Sequence, residues 1–318
     1  MMWISQYRLA YGPELVRPNV TNRNEPMSPT SSSRKHIQEA DSRPLPRDII
    51  VGDSRRELAR FPDGRFQMCV TSPPYWGLRD YDVDGQIGAE RTIDEYIADL
   101  VSIFREVRRV LRDDGTLWLN LGDSFTSGGR AWRDTDKKNV ARGMSYRPPT
   151  PDGLKPKDLI GIPWRVALAL QQDGWYLRTD IIWHKPNCQP ESVRDRPTRA
   201  HEYIFLMSKS ERYLYDHEAI KELTQDGKAS RRRRTVWSIN TEGYSGAHFA
   251  VFPAELVRLC VLAGSVPGST VLDPFLGAGT TGLVCAETGR GFVGIELKEE
   301  YAGLARTRIA GLSVSGSG

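Results

Sequence analysis

Asp273-Pro274-Phe275-Leu276-Gly277-Ala278-Gly279-Thr280-Thr281-Gly282 is the stretch on which the fold turns. It follows the apolar run Thr270-Val271-Leu272 and leads into a segment of helical composition that lasts to Glu287, with Gly289 placed as a C-cap. Gly277, Gly279 and Gly282 fit the spacing G-x-G-x-x-G, in which a strand passes through a tight glycine turn into a helix. The next apolar run, Phe292-Val293-Gly294-Ile295, ends at Glu296, nineteen residues after Gly277. Strand, glycine turn, helix and strand make a βαβ unit, the building block of a parallel sheet.

The spacing alone reads equally well as a nicotinamide-dinucleotide site. Two features oppose that reading. The unit stands at the C-terminal end of the chain, with no second half to hold a nicotinamide. Its strand also ends in Asp273, where a carboxylate would repel a pyrophosphate. A carboxylate there suits a cationic or amino-bearing ligand, and Glu296 suits ribose hydroxyls. A nucleoside that carries an amino acid and a positive sulfur, S-adenosyl-L-methionine, meets both demands.

Working outward, a second stretch pairs with the first. Residues 66–70 read as a strand that runs straight into Thr71-Ser72-Pro73-Pro74-Tyr75-Trp76. Two consecutive prolines neither continue a ladder nor enter a helix interior, so this is a rigid loop at a strand's carboxyl edge. Open α/β sheets bind their ligands at that edge. Trp76 reads either as core or as pocket wall. Ile49-Ile50-Val51 is a further short strand, stopped by Gly52-Asp53. Strands are also expected at 116–121, 175–183 and 202–207, and residues 209–215 can pair with the last as a hairpin. Helices are expected at 54–60, 92–111, 163–170, 253–263 and 299–309, besides the one that follows the glycine turn and runs to Glu287. The one at 92–111 carries a capping box, Thr92 with Glu95, and an apolar face. The expected fold is α/β: a doubly wound, mostly parallel, seven-stranded Rossmann-like sheet.

Three regions lie outside that pattern. Residues 1–46 read as a flexible arm, rich in Ser, Pro, Asn, Thr and Arg from Asn19 to Pro46 and with enough apolar content at 2–16 to dock locally; 313–318 read as a flexible tail. Residues 124–157 hold eight Lys/Arg against three Asp, and residues 187–247 are polar and contain Arg231-Arg232-Arg233-Arg234 beside Trp237. Both fit phosphate-contacting insertions in a domain spanning 47–312. Candidate DNA contacts are Arg130, Arg133, Lys137, Lys138, Arg194, Arg196 and the four arginines of the run.

The bulk numbers agree. Of 318 residues 39% are hydrophobic and 26% charged, which supports a core and argues against global disorder, and a net charge of +4 mildly favours an anionic partner. Cys69, Cys188, Cys260 and Cys285 form no CxxC pair, and His184, His201 and His248 show no metal spacing, so no metal is expected. Neither a signal peptide nor a membrane span is expected, and the expected location is cytoplasmic.

Thr71-Ser72-Pro73-Pro74-Tyr75 resembles the catalytic motif of the DNA amino-methyltransferases, and Asp273 to Gly282 resembles their donor motif. The order, catalytic motif first and donor motif last, is similar to the permuted β-class. His248-Phe249-Ala250-Val251-Phe252-Pro253 resembles the stretch before the donor strand that lines the methionine end, and Gly52-Asp53 matches a position near the donor adenine. The resemblance implies S-adenosyl-L-methionine as cofactor, held by Asp53, Thr71, His248, Phe252, Asp273, Pro274, Phe275, Gly277, Gly279, Thr280, Thr281 and Glu296. It implies catalysis by Ser72, Pro73, Pro74 and Tyr75 on a flipped base of double-stranded DNA.

An exocyclic amino nitrogen is conjugated with its ring and is a poor nucleophile. It needs acceptors for its hydrogens, which Ser72 Oγ and the Pro73 carbonyl supply, and a face such as Tyr75 to stack on. No Pro-Cys pair is present for a covalent C5-cytosine route. Ser at the first motif position looks like the N4-cytosine enzymes; Asp or Asn there looks like the N6-adenine enzymes. The expectation is therefore N4-cytosine methylation, with N6-adenine methylation as the alternative. A binding module without catalysis, a nicotinamide enzyme, and a methyltransferase acting on RNA or protein are the remaining readings. The resemblance also allows a homodimer and a cognate restriction endonuclease.

Overall fold

In the computed structural model, residues 45–78, 83–126, 149–224, 226–243 and 250–315 are described. The arm expected at 1–46 lies almost wholly outside them, as do residues 316–318 of the expected tail. The strands are β1 (Arg47–Val51), β2 (Phe66–Thr71), β3 (Leu111–Leu121), β4 (Tyr176–His184), β5 (His201–Ser208), β6 (Glu222–Leu223), β7 (Ser230–Arg231), β8 (Val236–Ser238), β9 (Glu242–Gly243), β10 (Ala250–Val251), β11 (Thr270–Asp273) and β12 (Gly291–Glu296). The helices are α1 (Ser54–Leu58), α2 (Ile93–Val110), α3 (Ile162–Gln172), α4 (Ala254–Gly264), α5 (Thr280–Glu287) and α6 (Glu299–Ser315).

One sheet takes eight of the strands in the order β1-β12-β11-β2-β3-β5-β4-β8, and among them β5 alone runs against its neighbours. The seven expected strands are all present, and Val236–Ser238 adds an eighth at the edge beside β4. The expected hairpin at 209–215 does not form; those residues are irregular, because both edges of β5 are already paired, with β3 and with β4.

Central strands are buried on both faces, as a doubly wound sheet requires. In β2 all six residues are buried. Alternate residues feed two cores: Phe66, Cys69, Leu117 and Phe205 pack with α2 and α3, while Met68, Val70, Trp118 and Leu206 pack with α4 and α5. Trp76 belongs to the first core, its Nε1 donating to the Glu90 carbonyl at 3.0 Å. The capping box of α2 forms as its sequence demands, Thr92 with Glu95. Cys69, Cys260 and Cys285 are buried, and burial pushes the Cys260 and Cys285 thiols well up. They are small core residues rather than nucleophiles.

Candidate active site

The strand that leads to Ser72 and the strand that leads to Asp273 lie side by side, β2 pairing β11 in parallel with Met68 opposite Val271 and Cys69 opposite Leu272. Both loops therefore leave the same carboxyl edge. Between them lies a cleft of about 280 Å³. One end is lined by Asp53, Ser54, Pro274, Phe275, Leu276, Gly277, Thr280, Thr281, Glu296 and Tyr301; the other by Ser72, Pro73, Pro74, Tyr75, Asn120, Trp183, Lys185 and Glu202. Phe252 also lines it, whereas His248 lies outside the described residues.

At the donor end the glycines do separate work. Gly277 has φ 54° and Gly279 has φ 82°, the left-handed turn that lets β11 pass into α5. A Cβ on Gly279 would lie 2.7 Å from Ala305 Cβ, so this glycine also admits α6. Gly279 and Thr71 sit behind the described cleft lining rather than on it. Asp273 is buried, with Oδ1 accepting from Thr71 Oγ1 at 2.6 Å and from the Phe275 N–H at 3.1 Å, and Oδ2 accepting from Thr281 Oγ1 at 2.6 Å. Burial raises its pKa, and the Thr281 and Thr71 hydroxyls offset part of that. Asp273 is thus chiefly the knot that ties the two loops together.

Glu296 accepts from the Gly277 N–H at 2.8 Å and from the Lys298 N–H at 2.9 Å. Its pKa is raised by burial, offset in part by those N–H groups. Asp53 caps α1 and is gripped by Arg55, which also reaches the Gly85 carbonyl at 2.7 Å. Burial pushes Asp53 up, but its bonds from Arg55 outweigh burial and leave it below the ordinary carboxylate value.

These facts test which nucleotide the cleft fits. A dinucleotide pyrophosphate needs free N–H groups at the glycine turn. Here the first glycine's N–H goes to Glu296, and three carboxylates, Asp53, Asp273 and Glu296, line the cavity. That donor set fits a cationic nucleoside and not a dinucleotide, so S-adenosyl-L-methionine suits the cleft. Asp53, Glu296, Gly277 and Phe275 would hold it.

At the acceptor end, Ser72 Oγ lies 3.1 Å from Asn120 Oδ1, and Tyr75 Oη lies 3.2 Å from the same oxygen and 2.8 Å from Glu202 Oε2. Asn120 Nδ2 donates to the Tyr203 carbonyl at 3.1 Å and to Glu202 Oε2 at 3.2 Å. Glu202 is ion-paired with Lys185, whose ammonium also lies 4.1 Å from the Trp183 ring centroid. The Pro74 carbonyl accepts from Tyr96 Oη at 2.9 Å, which anchors the loop. Gly122 seats the Tyr75 ring, since a Cβ there would lie 2.5 Å from Tyr75 Cε2. Burial, then the Glu202 charge, pushes the Tyr75 phenol well up, so it stays protonated.

Asn120, Lys185 and Glu202 escaped the sequence reading. Their strands were foreseen, but not that β5 inserts antiparallel and so brings its first residues beside the end of β3. Of the expected DNA contacts, Arg130, Arg133, Lys137 and Lys138 lie outside the described residues. Arg231 and Arg234 both donate to Glu222, and Arg233 donates to the Ile220 carbonyl. Arg196 pairs with Glu191 and lies 3.8 Å from the Phe125 ring centroid. Arg194 and Arg232 are exposed.

Fold and cleft together define a class: a doubly wound α/β group-transfer enzyme that joins a cationic nucleoside donor to a proline-rich acceptor loop. The profile of the DNA methylase family matches residues 66–307. The Type II methyltransferase M.SmaI of Serratia marcescens is 69% identical over 82% of this chain and 90% of its own length. The Type II methyltransferase M.Cfr9I of Citrobacter freundii is 58% identical over 83% of this chain and 87% of its own. Among solved structures, a DNA modification methylase of Thermus thermophilus, complexed with S-adenosyl-L-methionine, aligns with TM-score 0.58 at 27% identity, covering 83% of this chain and 93% of that one. The PvuII DNA methyltransferase (cytosine-N4-specific) shares the fold with TM-score 0.62 at 21% identity, covering 83% and 88%. The chain belongs to the DNA methylase family that modifies exocyclic nitrogens, and its methyl donor is S-adenosyl-L-methionine.

Proposed function

We propose that this enzyme methylates the exocyclic N4 of cytosine in double-stranded DNA. The observation that carries the reading is Ser72, a short neutral acceptor on the same cleft as the donor loop. A carboxylate at that position would reach one atom further and accept more strongly. S-adenosyl-L-methionine supplies, when bound, an electrophilic methyl group on a positively charged sulfur. Ser72 Oγ and the Pro73 carbonyl accept the amino hydrogens of the flipped base and turn its lone pair toward the donor end. Tyr75 and Trp183 wall the base pocket. Orientation of the two reactants accounts for most of the rate. Asp53, Phe252, Thr280 and Thr281 complete the donor half.

The catalytic domain spans 47–312. Segments 124–157 and 187–247 contact the DNA through Lys and Arg side chains not already held within the protein, such as Arg194 and Arg232, and DNA as substrate gives the enzyme a cytoplasmic location. No helix among the described residues is long and apolar enough to cross a membrane. The reading includes a cognate restriction endonuclease as partner, supported by the 69% identity to the Type II methyltransferase M.SmaI. A second copy of the chain completes the list of partners; light scattering tests it.

The deciding experiment is digestion of methylated DNA to nucleosides, followed by mass spectrometry. N4-methylcytosine is expected. N6-methyladenine as the product would overturn the cytosine reading in favour of the adenine one. Modification-sensitive sequencing of host DNA after expression gives the site. Calorimetry without saturable donor binding would leave only a DNA-binding module.

A further inference from the structure

The acceptor end holds a largely but not fully buried ion pair that the chemistry of amino methylation does not by itself demand. The Lys185 and Glu202 side chains are each 17% exposed. Such a pair is a poor stability device, because desolvation cancels most of its attraction. Its value lies in what the second carboxylate oxygen touches.

Asn120 Nδ2 faces two acceptors, the Tyr203 carbonyl and Glu202 Oε2. That fixes the amide: its NH2 must lie there, so its oxygen faces Ser72 and Tyr75. Tyr75 has one hydrogen, and the charged Glu202 oxygen at 2.8 Å takes it in preference to the neutral Asn120 oxygen at 3.2 Å. The Asn120 oxygen is then left to receive the Ser72 hydrogen at 3.1 Å. Ser72 therefore shows only lone pairs to the cleft. A Ser72 hydrogen pointing into the cleft would instead bond the amino lone pair that must attack.

We propose that Glu202, clamped by Lys185, is a positioning residue that sets the direction of the hydrogen bonds at Ser72 and so makes it a dedicated acceptor. The inference rests on Ser72 as the acceptor of the base's amino hydrogens. Glutamine at 202 has nearly the same shape, yet it reverses the order. Lys185 offers only donors, so the glutamine carbonyl turns to it and the NH2 faces Tyr75. That NH2 also faces Asn120 Nδ2 where Glu202 Oε2 accepted, so the amide is no longer held with its oxygen toward Ser72; once it turns, its NH2 donates to Ser72 Oγ and the Ser72 hydrogen enters the cleft.

The test compares Glu202→Gln, Glu202→Ala and Glu202→Asp in methyl transfer from tritiated S-adenosyl-L-methionine to unmodified genomic DNA. Donor affinity by calorimetry, unchanged within about threefold, serves as the control for folding. The Gln variant should lose on the order of 100-fold in kcat. The Ala variant, where water can accept from Tyr75, should lose no more than Gln, and Asp should lose least. A merely space-filling Glu202 predicts the opposite order, with the isosteric Gln most active, and that result overturns the proposal. Should the Ala variant not fold, Asp against Gln still decides. A parent enzyme that methylates no DNA base would sink the Ser72 reading itself; an active parent with Gln above Asp sinks this inference alone.

Discussion

The Thr71 hydroxyl donates to Asp273 Oδ1 at 2.6 Å across 202 residues of chain, joining the strand of the acceptor loop to the strand of the donor loop. Both groups are buried, so the bond is shielded from competing water. Thr71→Val keeps the shape and removes the donor, leaving Asp273 more poorly satisfied. The expected cost is about 1–3 kcal/mol of stability, read as a lower denaturation midpoint at unchanged m-value. Donor affinity should fall with it, since Asp273 also holds Thr281 and the Phe275 N–H. A variant as stable as the parent would show that the bond is incidental.

Acid pH should weaken donor binding. Burial holds Asp273 and Glu296 above the ordinary carboxylate values of 3.8 and 4.5. With raised folded-state values, the stability linked to these groups is complete below the unfolded values and is lost as pH climbs through the raised ones. A cationic donor favours their ionised forms, so it lowers their pKa and binding releases protons. Affinity for S-adenosyl-L-methionine should therefore rise with pH as these groups ionise above the ordinary carboxylate range, and then level. Calorimetry in two buffers of different ionisation enthalpy reads the proton release; affinity that is flat across that window contradicts the assignment.

Ser72 and Asp273 were legible because each motif is local: a strand, a turn and a few residues that suffice to state its chemistry. Their adjacency was legible too, since parallel strands carry their loops to one edge. Asn120, Lys185 and Glu202 were not, because their meaning arises only where three strand ends meet. No periodicity in residues 201–208 tells that β5 runs antiparallel between β3 and β4. The partners of the arginine run were hidden for a related reason. Charge alone does not reveal that Glu222 sits beneath Arg231 and Arg234.

The two glycines of the donor turn should respond differently to alanine. Gly277 has φ 54° and open space around a built Cβ, so Gly277→Ala carries only the left-handed backbone penalty, about 1–2 kcal/mol. Gly279 has φ 82°, and its Cβ would lie 2.7 Å from Ala305 Cβ and 3.0 Å from the Ala305 backbone. Gly279→Ala adds overpacking to the same backbone penalty, a further cost of about 1–3 kcal/mol. Thermal denaturation of the two variants should rank them in that order, and Gly279→Ala,Ala305→Gly should recover the packing part. Equal midpoints would place α6 further from the turn than described.

The basic side chains should divide by what they already hold. Arg194 and Arg232 are exposed and have no hydrogen bond or ion pair among the described residues. If they track phosphates, Arg194→Ala and Arg232→Ala should each weaken DNA binding at low salt and reduce the slope of log affinity against log salt by about one. Arg196 is different: it pairs with Glu191 and lies over the Phe125 ring, at the edge of the segment that leaves β3. Arg196→Ala should cost about 1 kcal/mol of stability through the lost cation–aromatic contact and leave the salt slope unchanged. Filter binding to plasmid DNA across a salt series, with thermal denaturation alongside, separates the two groups. A reduced slope for Arg196→Ala with unchanged stability would move that residue from the scaffold to the DNA interface.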